Sequence, residues 1–224
     1  MNFEKLNNPV FYSLSETHQN FCQDFGNLKV YQPATNPFGG FSGIENSSEE
    51  LDQYSEICSE FFILGNKPHF SQNMQLKAEI ICNQMICPDK IIQNNSEEIV
   101  HLNGKFENEL YALVQEFYPG FFRKNTSLLG NYYGIIRNGK LVAVTGERFQ
   151  MDDFCEVSAV VTHRAFEGLG FARQLVAFVA NQILEKGKIP FLHVDERNIR
   201  AIALYEKLGF ALREKINVWY FAKK

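Results

Sequence analysis

The sequence predicts an α/β protein in which a mixed β-sheet is flanked by helices. In the second half of the chain, apolar segments typical of strands alternate with segments of helical periodicity. The stretch VSAVVT at 157–162 is almost wholly apolar, as expected of a strand that is covered on both faces. Asn138-Gly139 separates two apolar runs and is typical of a hairpin turn, which adds antiparallel strands to the sheet.

The composition is that of a folded chain with a sizeable core. Of its 224 residues 45% are hydrophobic, enough for one large domain or two small ones. There is no run of about 18 apolar residues, and the first residues, MNFEKLNNPVFYSLSE, contain no uninterrupted apolar segment. We therefore expect neither a membrane span nor a signal peptide, and no membrane partner. The expected location is the cytoplasm.

Charge is distributed unevenly along the chain. Residues 1–103 hold five basic and 13 acidic side chains, a net charge of −8, whereas residues 104–224 hold 17 basic and 13 acidic side chains, a net charge of +4. The basic residues of the second half are dispersed rather than gathered into a stripe, so we expect no nucleic-acid partner. Their excess suits a small polyanionic ligand, and ordinary variation in surface charge explains it equally well.

The cysteines and histidines do not predict a disulfide framework or a metal site. The five cysteines form no CxxC pair, and no histidine stands at ligand spacing from them. The five histidines are scattered along the chain, which favours structural roles. We expect reduced, mostly buried cysteines and no metal ion.

The first half of the chain predicts few long elements. Residues 2–48 are rich in aromatic side chains and interrupted by Gly and Pro, which indicates loops and short elements. Residues 49–64 predict a helix with an apolar face formed by Leu51, Tyr54, Ile57, Phe61 and Leu64. Residues 75–103 predict either short strands or a helix with strands.

The second half predicts a regular series of elements. A helix over 106–117 ends before Pro119-Gly120. A later helix begins near the stretch FEGLGFARQLV at 166–176 and runs to about 186, before Gly187. A further helix covers 199–208. The predicted strands are 132–136, 141–148, 154–162, 190–194 and 216–221.

The stretch FEGLGFARQLV predicts an anion-binding helix start. The first N–H groups of a helix have no internal partner, and the helix dipole favours negative charge there. Gly168 and Gly170 would let a phosphate approach the backbone, and Ala172 keeps the next position small. A dinucleotide fold does not fit, because Gly168 follows Thr162 by six positions and Arg173 stands where the third glycine belongs. The P-loop pattern GxxxxGK[ST] is absent.

A second motif follows the glycine stretch. Asn198-x-x-Ala201-x-x-Leu204 leads directly into the run YEKLGF at 205–210. With these two motifs, the chain closely resembles the GNAT superfamily of N-acyltransferases over residues 130–224. Their signature is [Q/R]xxGx[G/A] after the fourth strand and an N…LYEKLGF helix after the fifth. The runs NPVFYSLSETHQNF, ATNPFGGF, GER and EVSAVVTH are similar to a subgroup of uncharacterised acetyltransferases.

The resemblance implies a GNAT fold with an N-terminal α/β extension. It also implies that the phosphate-bearing ligand of the glycine stretch is coenzyme A, with acetyl-CoA as the co-substrate. The pantetheine arm would pair with the backbone of Val160, Val161 and Thr162, and Asn198 would bridge the fifth strand and this arm. The family has Gln or Arg where Glu167 stands. A carboxylate there is unfavourable beside a pyrophosphate if its side chain turns inward, and it costs little if only the backbone is used. The pyrophosphate would lie on the amides of the segment Glu167, Gly168, Leu169, Gly170, Phe171, Ala172 and Arg173.

The resemblance also implies two catalytic residues. Tyr205 would protonate or hydrogen-bond the departing thiolate, and the alternative is a core tyrosine on an amphipathic helix. Glu156 stands eleven residues before Glu167, where histone-acetylating relatives carry a general base, and the alternative is a strand-end carboxylate in solvent. Four further charged residues lie near strand ends, where an acceptor would bind, or are ordinary exposed charges: Glu147, Arg148, Asp195 and Glu196. Three arginines would reach the nucleotide phosphates or are solvated surface residues: Arg164, Arg173 and Arg200.

These observations lead to one functional hypothesis. The chain is expected to be an N-acetyltransferase that transfers an acetyl group from acetyl-CoA to a small-molecule or peptide amine. A non-catalytic acyl-CoA-binding module and an N-acyltransferase for longer acyl chains stay open as alternatives, and a homodimer is compatible with the sequence. Residues 1–103 are expected to cover the sheet and contribute to the acceptor site, and residues 104–224 to form the acyltransferase domain.

Overall fold

A computed structural model describes residues 3–93, 96–102 and 104–224. Within these residues the strands form one mixed sheet with the order β1-β2-β3-β4-β11-β5-β10-β9-β8-β7-β6. Their bounds are β1 Cys22–Asp24, β2 Leu28–Tyr31, β3 Phe38–Phe41, β4 Glu60–Leu64, β5 Met74–Ile86, β6 Val100–His101, β7 Tyr132–Arg137, β8 Lys140–Gln150, β9 Phe154–Thr162, β10 Ile189–Asp195 and β11 Ala211–Lys223.

Helices cover both faces of this sheet, as the sequence predicts. Their bounds are α1 Pro9–Ser15, α2 Ser47–Ser55, α3 Glu107–Phe117, α4 Phe171–Glu185 and α5 Ile199–Lys207. The apolar side of α3 packs with Tyr132 and Val144, whereas that of α4 packs with Ile135 and Ala143. Because neighbouring residues of a strand point to opposite faces, α3 and α4 lie on opposite sides of the sheet.

The strands pair in both directions. The pairs β3–β4 and β9–β10 are parallel, and the other described pairs, among them the long β5–β11 pair, are antiparallel. The mixed sheet predicted from the alternating pattern is therefore confirmed. No helix in the described part of the chain is long and apolar enough to cross a membrane.

One predicted helix is wrong in its second half. The segment 49–64 contains most of α2, which ends at Ser55, and the strand β4. Ile57, placed on the apolar face by the helical pattern, is 51% exposed. The run EFFIL of β4 pairs with β3 through Phe62 and with β11 through Ile63. Pairing on both edges fixes these aromatic and branched residues in extended form, and this outweighs the local helical periodicity.

The first half of the chain builds part of the same sheet. Residues 75–86 belong to the single strand β5, which lies between β10 and β11, and β6 follows at the far edge. Strands β1–β4 join the sheet through β11, so strands from both sides of the proposed division share one sheet. The division itself falls at Asn103, which lies outside the described residues. The five cysteines are free thiols, and all but Cys22 are buried.

Candidate active site

The central feature of the site is a wedge between β9 and β10. These parallel strands pair at three positions, Ile189 with Phe154, Pro190 with Cys155 and Phe191 with Glu156. Beyond Glu156 the two strands pair with their outer neighbours only, β9 with β8 as far as Thr162 and β10 with β5 as far as Asp195. The sheet therefore opens and leaves backbone along both sides of the wedge without a partner strand. Such edges can receive an extended chain by strand-like pairing.

A β-bulge lies on the β9 side of the wedge. Gly146 of β8 pairs with Ser158 and Val144 with Val161, so Ala159 and Val160 together oppose a single residue. Ala159 has a φ of 53°, in the left-handed region that a non-glycine residue enters at some cost. A bulge bends its strand and changes the direction of its backbone groups. The bend accompanies the separation of β9 from β10.

The predicted glycine loop stands at the start of α4. Gly168 and Gly170 have φ values of 80° and 78°, which glycine adopts freely, and a Cβ added at either would meet nothing within 4 Å. The first helical bond runs from the N–H of Gln174 to the C=O of Gly170, and no side chain caps the helix. The N–H groups of residues 171–173 therefore have no partner within the helix, and the space above the loop is open. Together they form a cradle for an anion.

The wedge and the loop border one large cleft of about 1030 Å³. Most of the predicted cofactor-binding residues line it; Leu169 does not, and its side chain is exposed. Thr162 adds a buried hydroxyl oxygen that has no hydrogen-bond partner among the described residues. The predicted cofactor residues in the cleft wall are Val160, Val161, Thr162, Glu167, Gly168, Gly170, Phe171, Ala172, Arg173 and Asn198.

Part of the cleft wall is formed by aromatic rings, and we call this part the aromatic chamber. Rings from β3, from the end of α3 and the loop after it, and from β7 form its wall. Phe121 stacks on Phe62 at a centroid distance of 4.4 Å, which fixes one side of this wall. Apolar side chains of β4, β5 and β11 complete it. The rings that define the chamber are Phe38, Phe117, Tyr118, Phe121, Phe122 and Tyr132.

Glu156 lies at the vertex of the wedge and is held by an ion pair. Both of its oxygens accept hydrogen bonds from Arg148, at 2.6 and 2.8 Å, and His193 Nδ1 lies 2.7 Å from Oε1. Burial alone would raise the pKa of this carboxyl, but Arg148 and His193 outweigh it and lower the pKa to about 2. The side chain is 1% exposed, so the alternative of a carboxylate in solvent is wrong. Its ionisation and its occupied oxygens weigh against use as a proton acceptor.

The ion pair continues as a row of hydrogen bonds across the sheet. His193 Nε2 lies 3.0 Å from Gln84 Nε2, and Gln84 Oε1 accepts a hydrogen bond from Arg213 Nε. Since the Gln84 amide N can only donate, His193 Nε2 accepts this hydrogen bond. The His193 proton therefore lies on Nδ1, which donates a hydrogen bond to Glu156. Arg148, Glu156, His193, Gln84 and Arg213 thus connect the adjacent strands β8, β9, β10, β5 and β11. We call this set the polar row.

The sequence did not single out Gln84 or His193. The available signal was a polar residue inside an otherwise apolar strand, as in ICNQMIC and FLHV. Partners on neighbouring strands could not be assigned before the strand order was known.

Tyr205 lies on α5 and faces the cleft. Its ring is buried against Phe210, so the residue is both a core side chain and a wall residue of the cleft. Burial raises the pKa of the Tyr205 hydroxyl above its ordinary value, so the group stays protonated at neutral pH. No hydrogen-bond partner for this hydroxyl is found in the described part of the chain, and the O–H is free to donate to a ligand.

Asn198 caps α5 at the end of β10. Its Oδ1 accepts a hydrogen bond from the N–H of Ala201 at 3.1 Å, and its own N–H donates to the C=O of Asp195. The residue therefore fixes the start of α5, which carries Tyr205, relative to one side of the wedge. The side chain also lines the cleft.

Glu167, the departure from the family signature, is paired with a cation. Its Oε2 lies 2.6 Å from Arg200 Nη1, and both residues border the cleft. The pair joins the glycine loop to α5 across the mouth of the wedge. Arg173, also in the cleft wall, has no ion pair among the described residues.

Three other charged candidates do not line the cleft. Glu147 pairs with Lys186 of α4's C-terminal end, and Glu196 pairs with Lys215 of β11. Arg164 lies over the ring of Phe117. None of the three is among the residues that line the cleft in the described structure, although Arg164 contacts one ring of the cleft wall.

The fold and the cleft define an α/β protein in which a mixed sheet splits beside a glycine loop at a helix start. Comparison with known proteins shows which proteins share these features. Residues 132–220 match the family model described as FR47-like protein. Over its whole length the chain is similar to a protein assigned to the GNAT family of acetyltransferases, from Novosphingobium aromaticivorans. The two are 27% identical over 99% of each chain, with a TM-score of 0.90.

Two more distant solved structures share the fold. A GCN5-related N-acetyltransferase-like protein from Streptococcus suis is 13% identical, with a TM-score of 0.65 over 96% of this chain and 94% of that one. A GCN5-related N-acetyltransferase from Kribbella flavida is 12% identical, with a TM-score of 0.61 over 93% of both chains. No curated protein sequence matches the chain significantly. The likeness to GNAT acetyltransferases predicted from the sequence is confirmed, and the chain has the GNAT fold with an N-terminal α/β extension.

Proposed function

We propose that this chain is an N-acetyltransferase that moves an acetyl group from acetyl-CoA to a primary amine by direct attack of the amine on the thioester. The observation that supports this most is the wedge between β9 and β10, which opens beside the glycine loop of α4. The wedge offers unpartnered backbone to an extended arm, and the loop offers free N–H groups to a phosphate. Coenzyme A has both an extended pantetheine arm and a pyrophosphate.

The residues of this cleft fit coenzyme A. Val160, Val161 and Thr162 would hold the pantetheine arm by backbone pairing, and the orphaned Thr162 hydroxyl would gain a partner there. The amides of the segment 167–173 would hold the pyrophosphate, for which Gly168 and Gly170 leave open space. Arg173, which has no ion pair among the described residues, adds a positive charge at the same helix start. Asn198 would support the arm from the other side of the wedge.

Acetyl-CoA supplies the activated thioester, and the protein has to orient the amine and stabilise the charge that develops. Holding two reactants in line is worth roughly 7–11 kcal/mol in favourable cases, so positioning in the cleft can provide much of the rate. The bulge of Ala159 and Val160 lies on the β9 side of the wedge, and a backbone N–H group directed into the wedge there would donate to the carbonyl oxygen as it becomes negative.

Tyr205 would act on the departing thiolate. A thiol has a pKa of about 8.5 and an unperturbed tyrosine about 10, and burial raises the pKa of Tyr205 further. Full proton transfer from this hydroxyl to the thiolate is therefore uphill. We assign Tyr205 the role of a hydrogen-bond donor that stabilises the thiolate until the thiolate is protonated. The amine releases a proton as it becomes an amide, which balances the proton that the thiolate takes up.

Glu156 would serve the reaction by holding Arg148. Its pKa of about 2 and its two bonds from Arg148 make it a weak base near neutral pH. The α-amine of a peptide, with a pKa near 8, needs only about 1 kcal/mol to lose its proton at neutral pH, and the apolar chamber lowers the cost of deprotonation for any amine that it binds. An acceptor of this kind would react without a dedicated base.

Thermal-shift titration with coenzyme A tests the cofactor assignment. We expect the melting temperature to rise with ligand concentration, because a ligand that binds only the folded state stabilises it by mass action. No rise at millimolar coenzyme A would refute the assignment.

A thiol-release assay with acetyl-CoA and a panel of amines then separates an enzyme from a binding module. Turnover with at least one amine is expected, and binding without turnover for any amine would favour the module. Replacing acetyl-CoA by longer acyl-CoA thioesters in the same assay tests the acyl length, since a preference for a long chain would assign the aromatic chamber to the acyl group.

A further inference from the structure

The aromatic chamber is suited to an apolar acceptor. Its rings come from β3, from β7 and from the end of α3 with the loop that follows. Leu64, Ile80 and Val218 add aliphatic side chains from the central strands. Burying an aromatic ring in such a space is favourable because it removes a large apolar surface from water. The chamber therefore favours an acceptor with a ring or a similarly bulky apolar group.

Arg148 contributes an unused hydrogen-bonding edge to this chamber. Its Nε and Nη2 donate to Glu156, and its guanidinium lies 4.2 Å from the ring centre of Phe149 and 4.8 Å from that of Phe38. Nη1 has no acceptor among the described residues, although Arg148 lines the cleft. Since a guanidinium donates only in its own plane, the Nη1 edge can receive an oxygen atom of a ligand.

The carboxylates of the cleft wall do not favour a polycationic acceptor. Glu156 is paired with Arg148, Glu167 with Arg200, and Asp195 with Arg197. Among the described residues that line the cleft, each carboxylate therefore already has a cation. A polyamine or an aminoglycoside would bring further positive charges that find no free partner in this wall.

Arg148 also stands at the closed end of the wedge, where β9 and β10 still pair. Its partner Glu156 is the last β9 residue that pairs with β10, so Arg148 marks the vertex. An arm that enters the wedge from the glycine loop points towards this vertex. An amine next to the Arg148 edge would therefore lie close to the end of that arm.

We propose that the acceptor is a free α-amino acid with an aromatic side chain, its ring in the aromatic chamber and its carboxylate on Arg148 Nη1. The inference rests on the proposed acetyl transfer and names the substrate class of the same cleft. The α-amine nitrogen forms a bond to the thioester carbonyl carbon, and the carbon–sulfur bond breaks. The proton lost by the nitrogen balances the thiolate, so that the products are the N-acetyl amino acid and coenzyme A with a free thiol.

The test compares L-phenylalanine with three other amines in the thiol-release assay. They are 2-phenylethylamine, which lacks the carboxylate, L-phenylalaninamide, which stands for a peptide α-amine, and spermidine. We expect kcat/KM for L-phenylalanine to exceed that for 2-phenylethylamine by at least about tenfold, the effect of one charge-assisted hydrogen bond. A higher value for the amide, for spermidine or for 2-phenylethylamine would overturn the proposal.

Two substitutions show whether Arg148 provides the preference. Arg148→Lys keeps the positive charge beside Glu156 and loses the Nη1 edge, so the preference for L-phenylalanine over 2-phenylethylamine should fall about tenfold. Arg197→Lys makes the same chemical change at an arginine that is 79% exposed and does not line the cleft. This variant should prefer L-phenylalanine over 2-phenylethylamine as strongly as the wild type does. An unchanged preference in Arg148→Lys would overturn the proposal.

A binding measurement separates this inference from the proposed function. Calorimetric titration of L-phenylalanine into the protein with coenzyme A bound should give a dissociation constant that Arg148→Lys raises about tenfold. If this holds without turnover of any amine, the binding site stands and the enzymatic function fails. If other amines turn over while L-phenylalanine neither binds nor reacts, the function stands and the inference fails.

Discussion

Replacing Gly170 by alanine tests the phosphate cradle at one backbone position. Gly170 has a φ of 78°, and a Cβ there would enter the open space above the first N–H groups of α4. The left-handed conformation costs a non-glycine residue roughly 1–2 kcal/mol. For a chain of this length each kcal/mol lowers the melting temperature by about 2–4 °C.

Gly187 offers a matched control at the other end of the same helix. Its φ is 75°, and a Cβ there also meets nothing within 4 Å, so alanine should cause the same strain. The 15-residue helix α4 separates the two positions by about 22 Å. Gly170→Ala and Gly187→Ala should therefore lose similar stability, and only the first should weaken coenzyme A binding.

The expected change in affinity follows from the bonds that the new methyl group would disturb. A hydrogen bond to a charged group contributes about 1.5–3 kcal/mol, so loss of one bond from the cradle should raise the Kd about 10- to 150-fold. Isothermal titration calorimetry with coenzyme A measures this, and differential scanning calorimetry measures the stability. An unchanged Kd in Gly170→Ala, or an equal change in Gly187→Ala, would refute the cradle.

Three further predictions concern the cleft. Tyr205→Phe should lower kcat at least about tenfold, as expected for loss of a group that acts on the reacting atoms, while the Kd for coenzyme A stays within about twofold; normal turnover would exclude the thiolate role. Glu156→Gln should destabilise the fold by about 3–5 kcal/mol at pH 7, because it leaves Arg148 buried without its anion. The carboxyl has a folded pKa of about 2 and an ordinary value of 4.5, so its stabilisation is present above pH 4.5 and is lost as the pH falls towards 2. Urea unfolding should show the gap to wild type narrowing between pH 5 and pH 3, and a constant gap would contradict the ion pair. Glu167→Gln should tighten coenzyme A binding several-fold at low salt and less at high salt, as screening reduces the repulsion between carboxylate and phosphate; weaker binding would show that the Glu167–Arg200 pair helps to hold the ligand.

The sequence was most informative where local chemistry decides the structure. Gly168 and Gly170 have positive φ values and Asn198 caps α5, and both helices start close to where the sequence pattern predicted. The helical pattern failed at Phe61 to Leu64, where pairing with β3 and β11 decides the conformation. Such pairing depends on strands far away in the sequence, which local periodicity does not contain.

The same limit applies to the candidate site. Tyr205 and the cofactor segment were predicted, and the resemblance placed Glu156 in the site, but the polar row was not predicted. His193 and Gln84 are 109 positions apart in sequence and meet only because β10 and β5 are neighbours. The pairing of Glu156 with Arg148, which governs its charge, could be found only from the side-chain geometry of β8 and β9.

The position of β11 has a consequence for the order of folding during synthesis. This strand lies between β4 and β5 and is the sheet's sole link from β1–β4 to the remaining described strands. Residues 211–223 leave the ribosome after all of the other described strands. The edge of β4 that pairs with β11 therefore stays unpaired until these residues have emerged. Contacts of such long sequence separation slow folding and expose hydrophobic strand edges in the meantime. We expect the nascent chain to need protection from aggregation until β11 has emerged.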